Sequence, residues 1–131
     1  MKINVSTSGY TSLGVLVMFL FNTRTVAHVF HLKTAKFAEH KALNEFYDAI
    51  VGFADRFAEA AIGAFGPIED FPQTVTLDIP ENYVAFFFAV RDTLTEEMKR
   101  PEIALHKDLE NIITEVLELC NQTIYKLEHL H

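Results

Sequence analysis

The 131-residue chain contains no tryptophan, a single cysteine, five glycines and four prolines. One cysteine, Cys120, excludes an intrachain disulfide and suits a reducing compartment. So few glycines and prolines, with half the residues hydrophobic, exclude a low-complexity or disordered segment of any length. Basic residues are also scarce: eleven Lys and Arg stand against eighteen Asp and Glu, for a formal charge of −7. Nucleic-acid affinity comes largely from clustered Lys and Arg, and the basic residues here are scattered, so no nucleic-acid partner is expected. No internal repeat or run of like charge occurs.

What the chain does have is apolar and helical in period. Its length fits a single domain, residues 1–131, with a core of its own. The strongly apolar stretch 13–21 (LGVLVMFLF) faintly resembles the core of a signal peptide. It falls short of the roughly 20 apolar residues that cross a bilayer, and Asn22, Thr23 and Arg24 end it. A buried core helix is expected, with no membrane partner and a cytoplasmic location.

Four helices are expected. The first follows the Ser6–Thr7–Ser8 cluster, whose hydroxyls can cap free N–H groups, and runs to about Leu32. The second runs from about Ala35, with Thr34 as its cap, to Ile62, before the stop Gly63–Ala64–Phe65–Gly66–Pro67. A long connection, Ile68–Ile79, has room for a short extended piece at Val75 and Leu77. Pro80 leads into the third helix, which ends near Lys99. Pro101 opens the fourth, whose face Leu105, Leu109, Ile112, Val116, Cys120, Ile124 and Leu127 continues to about Leu130. This spacing suits an all-α, ferritin-like four-helix bundle with the long connection between helices two and three.

The second helix has two apolar stripes: Leu43, Tyr47, Ile50, Ala54 and Phe57 form one, Phe46, Ala49 and Phe53 the other. Phe86, Phe87 and Phe88 splay around roughly 200° of the third helix. One stripe can face the core and the other is left for a partner, so a homo-oligomer, at least a dimer, is expected.

His28, His31, His40, Asn44, Asp55 and Glu59 interrupt this apolar pattern. His28 and His31 share one helix face and Asp55 and Glu59 another. Imidazole and carboxylate suit iron, manganese or zinc. A turn centred on Thr34 makes His28 and His40 neighbours, and a shorter one brings His31 there instead. Taken singly, such residues are more often caps or solvated pairs, and it is the set that points to a metal. Asp55 lies about 22 Å along the helix from His40 at 1.5 Å per residue, so one ion cannot touch both in the same chain. Two copies of the helix packed antiparallel about residues 48–50 bring His40 of one to Asp55 and Glu59 of the other. The first helix has no acidic residue and the expected third and fourth helices enclose no Glu-x-x-His pair, so an in-chain di-iron site is not expected.

The stretch AHVFHLKTAKFAEHKALNEFYDAIVGFADRFAEAAIGAFG, residues 27–66, resembles the core of the Dps branch of the ferritin superfamily. His28, His40, Asn44, Asp55 and Glu59 fall without a gap on that branch's metal-site spacing. The H-x-x-H-L-x-T run and Asn121-Gln-Thr-Ile-Tyr-Lys-Leu127 are similar to small phage-encoded ferritin-like proteins, which implies a place in an infected host cell. The resemblance implies a ferroxidase-type inter-subunit site that binds Fe2+ and passes its electrons to dioxygen or peroxide. Three features depart from the pattern. Asn44 stands where a carboxylate is expected, Val29 and Leu32 follow the histidines where a tryptophan is expected, and no basic DNA-binding tail is present. Asn44 leaves room for the alternative of a non-enzymatic helical scaffold or partner-binding protein with a degenerate site.

Overall fold

The computed structural model describes residues 12–75, 77 and 79–130. Among them it is all-helical, with α1 (Leu13–Lys33), α2 (Phe37–Phe65), α3 (Tyr83–Glu97), the short α4 (Pro101–Ala104) and α5 (Lys107–His129). The α1–α2 hairpin packs closely along its length, α5 lies against α2, and α3 and α4 lie against α5. Phe30 of α1 closes the circuit, its ring meeting Phe86 and Tyr83 of α3 at 5.5 and 4.5 Å.

Local chemistry sets the ends of these helices. Ser12 caps α1, its Oγ accepting from the Val15 N–H at 3.0 Å. The Ser6–Thr7–Ser8 cluster lies outside the described residues. Thr34 does not cap α2 as expected. Its N–H closes α1 on the Phe30 carbonyl, while its hydroxyl accepts from the Lys36 N–H and donates to Glu39. The cap position therefore falls on Lys36, whose side chain makes no capping bond. Asn82 caps α3, accepting from the N–H groups of Val84 and Ala85. No strand forms among the described residues of the long connection. Val75 and Leu77 instead pack half-buried against the core, and Asn22 donates to the Val75 carbonyl at 3.4 Å.

The expected fourth helix is broken. Leu105 is 80% exposed, and His106, in extended conformation, is the residue from which α5 restarts. Ile103, not Leu105, takes the fully buried position, and ion pairs from Arg100 to Glu97 and Glu102 fix the turn that puts it there. His106 is half-buried, with its ring edge-on to Phe65.

α1 is long and apolar enough to span a membrane by length and composition alone, yet it is packed as a core helix. Leu16, Val17, Phe19, Leu20, Ala27 and Phe30 are essentially inaccessible. The second stripe of α2 is largely covered within the chain, with Phe46 buried and Ala49 and Phe53 half-buried, which corrects the expectation that it is left free. Phe46 is fully buried against Phe87, and Phe53 packs on the core with Arg56 over its ring. Phe86 and Phe87 are likewise buried, and Phe88 is half-covered with Arg91 over its ring.

Two tests of this packing follow. The start of α1 passes so close to the long connection that a Cβ on Gly14 would lie 2.8 Å from the Asp70 carbonyl oxygen and 3.0 Å from its carbon. Backbone cannot swing aside as a side chain can, so Gly14→Ala is expected to cost about 1–3 kcal/mol in denaturant unfolding despite alanine's better helix propensity. Cys120 is buried in α5, and that burial pushes its thiol up to about 12, against the pull of Arg91. At pH 8 (a chosen assay condition, about the free-thiol range) iodoacetamide is expected to label unfolded protein and spare the native chain. Rapid native labelling would contradict the buried placement.

Candidate functional site

The last carbonyls of a helix have no partner within it, and α1 ends at Lys33. The His31 carbonyl is one of these, and it accepts from Nδ1–H of His40 at 3.1 Å. His31 returns the bond, its Nδ1–H donating to the His40 carbonyl at 2.8 Å. A carbonyl oxygen can only accept, so both Nδ1 atoms carry a proton and both Nε2 atoms are outside this pair of bonds. The two rings stack with centroids 3.6 Å apart and planes inclined by 27°.

His28, one turn earlier on α1, lies edge-on to His31 at 5.7 Å and stacks on Tyr47 at 4.2 Å. Tyr47 donates to Asn44 Oδ1 at 2.6 Å, and Asn44 donates in turn to Asp48 at 2.9 Å. The Arg24 guanidinium lies 5.6 Å from the Tyr47 ring centre. This constellation lines the seam between α1 and α2. His31 is buried, His28 half-buried and His40 exposed.

The structure thus brings His28, His31 and His40 together, with His31 as the partner of His40. The turn is centred later than Thr34, and His28 is carried to Tyr47 instead. Tyr47 belongs to the core stripe by spacing, and its role in this cluster was not legible from that. Its hydroxyl, three residues from Asn44 on the same helix, was the available signal.

Asp55 and Glu59 are not part of the cluster. They are exposed on the outward face of α2, which also carries Asn44, Asp48, Val51, Gly52 and Ile62 at three- and four-residue spacing. A Cβ on Gly52 would meet nothing within 4 Å, so another backbone can approach closely there. A hydrogen bond with Asp55, and then Asp55's negative charge, raise the Glu59 carboxyl above its ordinary value. Among the described residues, no group of three or more His, Cys, Asp or Glu side chains is placed to hold a metal ion.

The profile of a family of unknown function, DUF5856, matches residues 31–127, well over half of the chain. That span contains His31, His40, Asp55 and Glu59 and stops short of His28. Neither the curated proteins nor the solved structures yielded a match.

Proposed function

The chain belongs to DUF5856, a family of unknown function, and from its α1–α2 seam we propose that it binds a divalent metal at sites completed between two copies. Iron is the first choice, with manganese or zinc next. His31 and His40 of one chain face Asp55 and Glu59 of its partner across a two-fold axis near residues 48–50. His28 stands behind His31. The scaffold in this reading is a ferritin-like bundle of the Dps kind. The observed adjacency of α1 with α2, α2 with α5, α5 with α3 and α3 with α1 is in keeping with it. Fe2+ is then the substrate, oxidised by dioxygen or peroxide. Nucleic acid and membrane have no part in it.

The observation that carries the proposal is the pair of Nδ1–H bonds to backbone carbonyls. A bond of this kind from the other ring nitrogen fixes the tautomer and orients Nε2 for a metal. The imidazole and carboxylate donors suit the metals named. With Phe46 buried and Ala49 and Phe53 half-buried, the two-fold contact rests on the outward face of Asn44, Asp48, Val51, Gly52 and Asp55.

One feature favours a second reading. The free electron pair of an imidazole lies in the ring plane, and stacked planes 27° apart do not aim two such pairs at one ion. One ring must turn for both to ligate. As they stand, the rings staple the hairpin, which is the role expected of a non-enzymatic helical scaffold.

Anaerobic titration with Fe2+, or with Mn2+, separates the two. Asparagine keeps a donor near Nδ1 and deletes Nε2, so His31→Asn and His40→Asn should retain helicity and lose saturable binding. Acid should weaken binding as well. Glu59 holds its proton to a higher pH than an ordinary carboxyl, and the metal must displace it. Unchanged binding in both variants would leave the staple as the only role for these rings.

A further inference from the structure

Large apolar side chains stand in the open at both ends of α2's outward face: Phe37 is 78% and Ile62 41% accessible. At its middle are Val51, also exposed, and Gly52, where a Cβ would meet nothing within 4 Å. Steps of three or four residues join the two ends along one stripe, and the stripe is symmetric. Phe37 lies twelve residues before position 49 and Ile62 twelve after position 50. Lys41 and Glu59 lie nine residues either side of position 50.

A two-fold axis through an antiparallel helix pair sets each residue against its counterpart across the midpoint. About residues 49–50, Phe37 of one copy meets Ile62 of the other, and Lys41 meets Glu59 with Asp55 one turn away. Crossing helices are closest at the crossing and diverge toward their ends. A glycine near the middle and long side chains about 19 Å out, at 1.5 Å per residue, fit that shape. Among the described residues neither Asp55, Glu59 nor Lys41 makes an ion pair. Glu45, one turn beyond Lys41, is taken by Lys126, and Lys41 adds only its charge there. Like charge is present as well, because Asp48 stands beside the axis in both copies, its carboxylate accepting from Asn44. The apolar middle and ends must therefore supply the affinity, and Lys41 the register.

We propose that the outward face of α2 is a self-complementary seam for a second copy of this chain, apolar at its middle and ends and registered by Lys41 against Glu59 and Asp55 of the other copy. It rests on the two-fold axis of the metal reading and adds that the copies join without metal. Lys41 holds the carboxylate pair while no ion is bound, and an ion entering beside His40 displaces it. A different protein fits less well, because a stripe that receives one has no need of symmetry.

The test is sedimentation equilibrium of the full chain in chelator at about 150 mM salt, where exposed charges more than about 8 Å apart are largely screened. A dimer is expected. The axis uses every substitution twice, so Lys41→Glu should weaken it by about tenfold. Adding Glu59→Lys should restore it, since reversing both partners keeps the pair. Adding Glu118→Lys instead, at an exposed position of α5, gives the same net charge and should not. Phe37→Ala should also weaken association while leaving helicity unchanged, since Phe37 is largely exposed. Indifference to Lys41→Glu would overturn the proposal, as would rescue by both reversals alike or by neither. A monomer in chelator that dimerises only when Fe2+ is added would overturn it too, and would leave the metal reading standing. A dimer that passes the charge exchange and binds no Fe2+ would end the metal reading and uphold the seam.

Discussion

Phe46→Ala is expected to destabilise the protein by about 3–5 kcal/mol, a large share of the roughly 5–15 kcal/mol that holds a domain together. The ring is fully buried and meets Phe87 edge-on at 4.8 Å, so truncation loses apolar burial, leaves a cavity and removes an aromatic pair. The same experiment decides between two placements of α2's second stripe. If Phe46 belongs to the core of one chain, the loss appears in denaturant unfolding while the dissociation constant of the assembled protein is unchanged. If it belonged to a subunit contact, assembly would weaken and the unfolding midpoint would become more sensitive to protein concentration. A loss below about 1 kcal/mol would contradict the buried position.

That correction shows where periodicity stops being informative. The apolar spacing of α2 shows that more than one of its faces is buried, and this holds. It does not show by what. α2 is flanked by α1 on one side and α5 on the other, so both stripes find partners inside the chain. The break at Leu105 was hidden for a related reason. The series Leu105, Leu109, Ile112 reads as one helix, and only the packing shows that Ile103 is the residue drawn inside. Capping chemistry was legible only in kind: a hydroxyl at Thr34 does bond within the hairpin, but to the Lys36 N–H and Glu39 rather than as the α2 cap, which falls two residues later. The length of that hairpin decides which histidine meets His40. Spacing allowed His28 or His31, and the turn geometry selects His31. Asp55 and Glu59 were legible as a pair on one face, and their isolation from the histidines follows from the rise of a straight helix.

The second large effect concerns that isolation. Each site as proposed draws imidazole from one chain and carboxylate from the other, so His40→Asn and Asp55→Ala proteins should each lose metal binding, because every site in them lacks a ligand. Asp55 is exposed, and asparagine at position 40 keeps a donor for the His31 carbonyl while giving up the ring stack on buried His31, so stability is compared most cleanly in Asp55→Ala. In the metal-free chain Asp55→Ala removes the hydrogen bond and then the negative charge that raise Glu59, so the Glu59 carboxyl should return toward its ordinary value. Loss of metal without loss of stability is the signature expected of a ligand rather than a structural residue.

The most direct test mixes these two variants. A mixed dimer concentrates both lesions in one site and restores the other completely. With random subunit exchange half the dimers are mixed, so about a quarter of the wild-type metal should return. Fe2+ or Mn2+ bound per chain, measured after exchange is confirmed by mass, should therefore rise from near zero in each parent to about a quarter of the wild-type value in the mixture. A mixture that binds no more than its parents would contradict a site shared between two copies.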